Sequence, residues 1–185
     1  MNKKEITIIE SAQSVFSRYG VQRTTMNDIA KEAGIARQTL YNTYSNKDEV
    51  LRATIRLFTE RAIESIHEAL SGVENLEDKL DIIFKHLAIE PFEMLHSSLH
   101  AEDIIRGMNE SSREEIKISE ERFKTIFESV LAKHQSSIEK SGLSVSDLSD
   151  LVRHSMSAIK HQARDIEHIQ LLLNSLKTVI VRCTQ

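Results

Sequence analysis

The sequence has few of the residues that cross-link chains or interrupt helices. Its 185 residues include one cysteine, one proline, five glycines and no tryptophan. The single thiol, Cys183, cannot form an intramolecular disulfide and is typical of a protein from a reducing compartment. No apolar run approaches the roughly 20 residues of a membrane-spanning helix, and the N-terminus lacks the apolar segment of a signal peptide. These absences predict a cytoplasmic protein.

Long segments in which apolar residues recur every three or four positions dominate the chain instead. This spacing places the apolar side chains on one face of a helix, and no Val-, Ile- and Thr-rich segment alternates with the period of a strand. Aromatic residues make up only 5% of the chain, so we expect a mostly aliphatic core. The sequence predicts an all-α fold of about nine helices.

Capping signals divide the N-terminal part of the chain into four helices. Thr25, with Asp28 three residues later, forms a capping box. Gly34 is suited to a sharp turn because glycine adopts positive φ at no steric cost. The helices expected are residues 3–19, Thr25 to Gly34, about 36 to 43, and Asn46 to about 70.

Further helices are predicted beyond residue 70. They are expected at about 76–89, ending before Pro91, then at about 92–107 and 111–140. The stretch 146–184 contains no glycine or proline, and its apolar periodicity fits one long helix. Two helices, with a break near Arg164 and a cap at Asp165, fit it equally well.

The charged residues are unevenly distributed along the chain. Residues 1–56 carry nine basic and six acidic side chains, a net charge of +3, whereas the rest carries 15 basic and 22 acidic ones, a net charge of −7. A basic N-terminal segment on an acidic remainder indicates that the N-terminal segment contacts a polyanion.

Two short helices joined by a turn at Gly34 form a helix-turn-helix pattern. Ile35 and Leu40 would anchor the second of these helices and leave its polar side chains on the outer face. Those polar residues are Arg37, Gln38, Tyr41 and Asn42. Arginine can bond guanine bidentately, and the amides can bond adenine. Thr25 and Lys47 stand at the starts of flanking helices, where backbone N–H groups favour a phosphate.

The segment "TTMNDIAKEAGIARQTLYNTYSNKDEVL" resembles the DNA-binding region of the TetR family of transcriptional regulators, and the resemblance extends over residues 6–56. The residues at the family's spacing are Thr24–Thr25, Ile29–Ala30, Ala33–Gly34–Ile35, Thr39–Leu40–Tyr41, Tyr44, and Lys47 followed by acidic residues. Ala36 departs from the family's usual serine cap, and Thr43 replaces a longer His or Tyr.

The resemblance implies a homodimer that binds a near-palindromic double-stranded operator, with its two heads in successive major grooves about 34–36 Å apart. Carried over by position, it implies that Arg37 and Gln38 read bases. The implied phosphate contacts are Thr25, Thr39, Tyr41 and Lys47, with Asn42 and Thr43 as further DNA contacts.

The resemblance also implies a division of the chain into a helix-turn-helix domain, residues 1–47, and a ligand-binding and dimerisation domain, residues 48–185. Helix four, about 47–70, would connect them. The terminal segment "IQLLLNSLKTVIV" is apolar on more than one face. We expect it to be covered on one side by its own domain and on the other by a partner subunit. A central buried helix of a monomer is the alternative.

An unknown small-molecule effector, also implied by the resemblance, would bind among large apolar side chains of the C-terminal domain. The candidates are Phe84, Phe92, Leu95, Leu99, Phe123, Phe127 and Met156. For each of these residues taken singly, packing of the core is the favoured explanation.

Histidine provides the main alternative chemistry. His96 and His100 have the i, i+4 spacing of a helical metal site, and His154, His161 and His168 recur at seven-residue intervals. No third ligand stands at a fixed spacing, and no catalytic triad, nucleophilic Cys/His pair or phosphate loop is present. We therefore expect no metal, no cofactor and no enzyme activity.

The function predicted is that of a sequence-specific transcriptional regulator, a repressor released from DNA by the effector. A DNA-binding architectural or division regulator without an effector fits the same residues.

Overall fold

The fold is helical throughout the part of the chain that the computed structural model describes, residues 1–96 and 110–185. No strand occurs in these two ranges. The helices are α1 (Lys3–Tyr19), α2 (Met26–Glu32), α3 (Arg37–Tyr41), α4 (Lys47–Leu70), α5 (Leu76–Phe84), α6 (Glu90–His96), α7 (Glu110–Leu131), α8 (Gln135–Lys140), α9 (Val145–Gln162) and α10 (Ile166–Cys183). A π-helical segment, Lys85–Ile89, joins α5 to α6, and a 3₁₀ turn, Ala132–His134, joins α7 to α8. The all-α prediction is confirmed.

The chain folds into two compact units. Unit 1 comprises Met1–Arg61 and Leu95–Ser119, and unit 2 comprises Ala62–Met94 and Glu120–Gln185. Helices α4 and α7 each contribute residues to both units. The division into functional domains at residue 47 stays a prediction, because compact packing and function need not share a boundary.

The core of unit 1 brings α1, α2, α3 and the first part of α4 together. Its buried members are Ile8, Ala12, Phe16, Val21, Met26, Ile29, Ala30, Leu40, Val50 and Leu51. Capping boxes begin both α1, at Asn2 with Glu5, and α2, at Thr25 with Asp28. The short helices α2 and α3 depend on this tertiary packing rather than on intrinsic helix propensity.

Polar contacts also link α4 and α7 within unit 1. The Arg56 guanidinium donates to Glu115 at 2.6 Å, and the Thr59 hydroxyl donates to Ser119 at 2.8 Å. The Glu115 side chain is buried. A buried carboxylate needs such a partner, since removing it from water is costly when it is unpaired.

The core of unit 2 is larger and contains three buried phenylalanines, Phe84, Phe92 and Phe127. Phe84 and Phe127 lie with ring centroids 6.3 Å apart at a tilted angle of 51°, a geometry favoured by the ring quadrupoles. Other fully or nearly buried members include Ile66, Leu80, Ile83, Ile126, Leu131, Ile138, Leu148, Val152, Met156, Ile169, Leu173 and Ile180.

One arginine is buried in unit 2. The Arg153 side chain is only 7% exposed and donates to Glu120 on α7 at 3.1 Å and to Asp150 on its own helix at 2.8 Å. The hydrogen bond from Arg153 lowers the pKa of Asp150. Ser157 also donates to Glu120, at 3.2 Å. These bonds compensate for the burial of the guanidinium and link α7 to α9.

The helix expected at 76–89 does not end before Pro91. Helical structure continues through the π-helical segment into α6, and the Glu90 N–H donates to the Lys85 carbonyl five residues back. Pro91 has no N–H to donate. The change from α-helical to π-helical hydrogen bonding thus lies next to Pro91, the residue that lacks a donor. The part of the predicted helix 92–107 that follows His96 lies outside the described residues.

The stretch 146–184 forms two helices, α9 and α10. Ala163 adopts an extended conformation (φ −63°, ψ 140°) that ends α9, and the Asp165 carboxylate accepts the His168 N–H at 2.7 Å at the start of α10. The structure thus selects the second of the two alternatives. The break also separates His168 from His154 and His161, so the three histidines do not form one continuous helical stripe.

We expect the Asp165 cap to stabilise unit 2 measurably. Asp165→Ala removes the acceptor of the His168 N–H and should lower the free energy of unfolding by about 1 kcal/mol. Glu167→Ala removes an acidic side chain from the same turn but not the capping bond, and should cost only a few tenths of a kcal/mol. Urea unfolding of both variants measures the difference, and equal losses would contradict the capping role.

Candidate nucleic-acid interface

The position of α3 is set by the turn before it and by one buried leucine. Gly34 has φ 65°, in the left-handed region that favours glycine, and open space surrounds the position of a missing Cβ. The turn therefore requires glycine for its backbone angle, not for space. Leu40 is fully buried, and Ile35 packs on the same cluster. Burial of this face turns the opposite face of α3 outward.

The outward face of α3 carries two side-chain pairs, each spanning one helical turn. The Arg37 guanidinium lies 5.3 Å from the centre of the Tyr41 ring and donates to the Tyr41 hydroxyl at 3.3 Å. The Gln38 amide donates to the Asn42 side-chain oxygen at 3.0 Å. All four side chains are exposed. The four outward-facing residues predicted from sequence therefore lie together on one surface, which we call the α3 face.

The α3 face has the donors and acceptors that the major groove requires. A guanidinium can bond O6 and N7 of guanine together, and a carboxamide can bond N6 and N7 of adenine. The two observed pairs restrict the rotamers of these side chains. That restriction reduces the conformational entropy lost when the side chains are immobilised against another surface.

The two threonines of this helix are less available than the α3 face. Thr39 and Thr43 are half-buried, and the Thr43 hydroxyl donates to the Thr39 carbonyl at 3.1 Å. A hydroxyl can still accept a bond while it donates one. Contacts of Thr39 and Thr43 with DNA stay predictions.

Thr25 and Asp28 form the capping box predicted for α2. The Thr25 hydroxyl donates to the Asp28 carboxylate at 2.6 Å, and the Asp28 N–H donates to the Thr25 hydroxyl at 3.2 Å. The hydrogen bond from the Thr25 side chain, followed by the one from its backbone, lowers the pKa of Asp28. Thr25 remains exposed just before the first residue of α2, and its predicted phosphate contact is untested.

Lys47 occupies a different environment from the one its predicted role suggests. Its ammonium group donates to the carbonyl oxygens of Val21 at 2.6 Å, Gln22 at 3.1 Å and Thr24 at 2.8 Å. The side chain is half-buried. In this structure it holds the α1–α2 turn, and a contact with phosphate stays a prediction.

An ion pair that the sequence did not indicate joins α1 and α2. Arg18 donates to Glu32 at 2.7 Å, and Ser14 donates to the same carboxylate at 3.0 Å. The hydrogen bond from Arg18 lowers the pKa of Glu32. Fourteen residues separate the two partners, so no local spacing rule could have paired them.

The candidate effector-binding residues are mainly core residues of unit 2. Phe84, Phe92, Phe127 and Met156 are buried in one cluster, and Phe123 packs against it. Leu99 lies outside the described residues, as does the side chain of Leu95. The structure brings the other five together, and their role in binding a ligand stays a prediction.

Metal-binding residues do not come together in the part of the chain that the structure describes. No three His, Cys, Asp or Glu side chains there are placed to share a metal ion. His154 bonds the Asp150 carbonyl at 2.9 Å, and the Arg164 N–H donates to His168 at 3.2 Å. His100, one of the pair singled out at i, i+4, lies outside the described residues.

Comparison with known proteins identifies the N-terminal segment. A family model described as bacterial regulatory proteins of the tetR family matches residues 8–54, which include α2, the turn and α3. The N-terminal segment of this chain belongs to the TetR family. The resemblance inferred from the helix-turn-helix residues is confirmed, and it places the α3 face in a TetR-type DNA-binding domain.

Individual relatives extend this result to the fold. A probable helix-turn-helix transcriptional regulator, ArpR of Pseudomonas putida, is 36% identical over 74 residues, 40% of this chain and 33% of its own. The chain thus spans about a third of that regulator's length. A putative TetR-family regulator from Rhodococcus sp. has a TM-score of 0.75 at 15% identity, covering 100% of both chains. The fatty acid degradation regulator FadR from Bacillus halodurans has a TM-score of 0.71 at 19% identity, covering 98% of this chain and 96% of its own.

Hydropathy adds one constraint to the TetR-type fold. Among the residues that the structure describes, no helix combines the length and apolar character needed to cross a bilayer.

The N-cap residue of α3, Ala36, gives a test of the local stability of this helix. Ala36 has the extended conformation of an N-cap (φ −64°, ψ 142°) but no side-chain hydrogen bond. Ala36→Thr should raise the free energy of unfolding by about 1 kcal/mol over Ala36→Val, because threonine and valine share a shape and differ by the capping hydroxyl. Guanidinium unfolding of the two variants measures the gain. Equal stabilities would show that the missing cap is not a weak point of this TetR-type domain.

Proposed function

We propose that this protein is a homodimeric, sequence-specific DNA-binding regulator of transcription that acts as a repressor. The observation that carries the proposal is the exposed α3 face, which presents Arg37, Gln38, Tyr41 and Asn42 from a TetR-type helix-turn-helix. These exposed side chains bond to each other one turn apart on α3 and lie outside the core of unit 1, which leaves their outer surfaces available to a partner.

In the proposed complex α3 lies in the major groove. Arg37 and Gln38 contact base edges, while Tyr41 and Thr25 contact phosphates on either side. The net charge of +3 over residues 1–56 supports this orientation, since the duplex attracts the basic end of a chain whose remainder is acidic.

We place the dimer interface on the last two helices. Helix α10 buries Ile169, Leu173 and Ile180 within unit 2, yet Leu171 is 63% exposed and Val179 is 53% exposed on another of its faces. These two residues are eight positions apart and therefore share a face. On α9, Leu151 is 53% exposed. The family resemblance implies a homodimer, so we propose that a second copy of the chain covers these apolar faces.

We further propose that a small apolar effector acts through the aromatic cluster of unit 2. Phe84 and Phe127 are in ring contact, and Phe92 and Met156 are buried beside them. Methionine has three rotatable bonds and adapts its shape to a neighbouring group. An effector that binds one arrangement of this cluster better than another would shift the protein toward a state with lower affinity for DNA.

DNA binding through the α3 face is tested by exchanging Arg37. The probe is a duplex enriched from a random-sequence pool by the wild-type protein. Arg37→Ala should lose about 1–3 kcal/mol of binding free energy, and Arg37→Lys should lose preference at one base position while keeping the charge. Fluorescence anisotropy measures the DNA affinity of both variants. Neither change should lower the melting temperature, because Arg37 is exposed.

Arg122→Ala is the matched control for Arg37, since it removes an exposed arginine from unit 2. Its affinity for the enriched duplex should equal that of the wild type. If the wild-type protein enriches no sequence, or if Arg37→Ala binds the enriched duplex unchanged, this function is wrong.

The dimer interface is tested by placing charge on α10. The double substitution Leu171→Glu and Val179→Glu should convert the dimer to monomer, because buried carboxylates without partners are costly. Ile118→Glu is the matched control, since Ile118 is 48% exposed on α7 in unit 1. Sedimentation equilibrium measures the mass of each protein. A monomeric wild type, or a double variant that remains dimeric, would contradict the proposed interface.

A further inference from the structure

The Lys47 side chain donates three hydrogen bonds to backbone carbonyls of unit 1. It stands at the first position of α4, and its ammonium group reaches back to the turn between α1 and α2. The three carbonyl oxygens it contacts belong to Val21, Gln22 and Thr24, at 2.6, 3.1 and 2.8 Å. These residues lie 23 to 26 positions earlier in the chain.

The donor capacity of Lys47 is fully used by these contacts. An ammonium group has three N–H bonds and no acceptor, and each of the three bonds has a carbonyl partner here. A direct hydrogen bond to a DNA phosphate would require at least one of these contacts to break. Backbone carbonyls in a turn also need partners when they are withdrawn from water.

We propose that Lys47 is a positioning residue for DNA binding, which fixes the α1–α2 turn and thereby Thr25, and that it does not contact phosphate itself. This inference rests on the proposed DNA-binding function. It assigns to Lys47 a role different from the phosphate contact that the family resemblance implies.

The peptide bond between Thr24 and Thr25 shows how the positioning works. Its carbonyl oxygen accepts from Lys47 at 2.8 Å, and its N–H, the Thr25 amide, donates to the Asp28 carboxylate at 2.9 Å. In a trans peptide these two groups point in opposite directions. The plane of the peptide is therefore held from both sides, and this determines where the Thr25 hydroxyl and the first turn of α2 lie.

A second bond closes the same turn from inside. The buried Thr24 hydroxyl donates to the Gly20 carbonyl at 2.7 Å, and Gly20 has φ 78°. The end of α1, the turn and the start of α2 thus form one hydrogen-bonded segment, and Lys47 is its link to α4.

Arginine should replace Lys47 poorly in this position. The three carbonyls surround a single nitrogen, which suits the compact, freely rotating ammonium group. The planar guanidinium directs its donors in a fixed fork and is larger. A phosphate contact, in contrast, would be kept or strengthened by arginine. Lys47→Arg therefore separates the two roles without changing the net charge.

The first measurement uses the free protein. Amide hydrogen exchange should accelerate at residues 21–25 in Lys47→Met, and to a smaller degree in Lys47→Arg, while the amides of α1 keep their wild-type rates. Unchanged exchange at residues 21–25 would overturn the clamp. Exchange that rises equally in α1 would show general destabilisation in place of positioning, and would also overturn the proposal.

The second measurement uses the enriched duplex at several salt concentrations. Lys47→Met should bind about tenfold more weakly, with the slope of log K against log salt unchanged, because no phosphate-neutralising charge has been lost. Lys47→Arg should also bind more weakly. A slope smaller by about 0.9 in Lys47→Met would show a direct phosphate contact, and unchanged affinity in both variants would show a purely structural role. Either result overturns the proposal.

Lys140→Met is the matched control, because it removes the same charge from an exposed position at the end of α8 in unit 2. It should leave both measurements at wild-type values. If the wild-type protein enriches no duplex, the proposed function fails, while the exchange measurement still decides whether Lys47 holds the turn.

Discussion

Burial of Leu40 is the interaction on which the candidate site depends. Helix α3 has five residues, too few to be stable alone, and no side chain caps its start. Its existence and its orientation therefore come from the core of unit 1, in which Leu40 is fully buried among residues of the neighbouring helices. The same burial determines which side chains face outward, so the stability of unit 1 and the composition of the α3 face have one cause.

Hydrogen bonds and ion pairs complete what the apolar core begins. The core fixes how the helices pack, but it does not fix the turns between them, whose backbone groups need partners of their own. Lys47 supplies those partners for the α1–α2 turn, and Arg18 with Glu32 links the two helices beyond it. Each of these partners comes from a residue distant in sequence. The arrangement of α1, α2 and the start of α4 is consequently supported by contacts from several elements at once.

Unit 2 also combines an apolar core with a buried charged group. It has a continuous aliphatic and aromatic core, yet Arg153 is buried against carboxylates of α7 and α9. A buried ion pair stabilises less than well-packed apolar groups would, and it favours one arrangement of its helices over others. The apolar side chains that α9 and α10 leave exposed lie outside this core and are those of the proposed dimer interface.

The sequence by itself determined the helical class, the first four helix starts and the identity of the α3 face, because caps, apolar spacing and a positive-φ glycine act within a few residues. It also carried the TetR-type motif, whose spacing is local. Only the tertiary structure decided that residues 146–184 form two helices, since the apolar pattern runs through both and the break at Ala163 is a matter of backbone conformation. Only the tertiary structure paired Lys47 with the α1–α2 turn, Arg18 with Glu32 and Arg153 with Glu120. Partners 14 to 33 residues apart meet through packing, and no local spacing in the sequence specifies which charged or polar group each of them will reach.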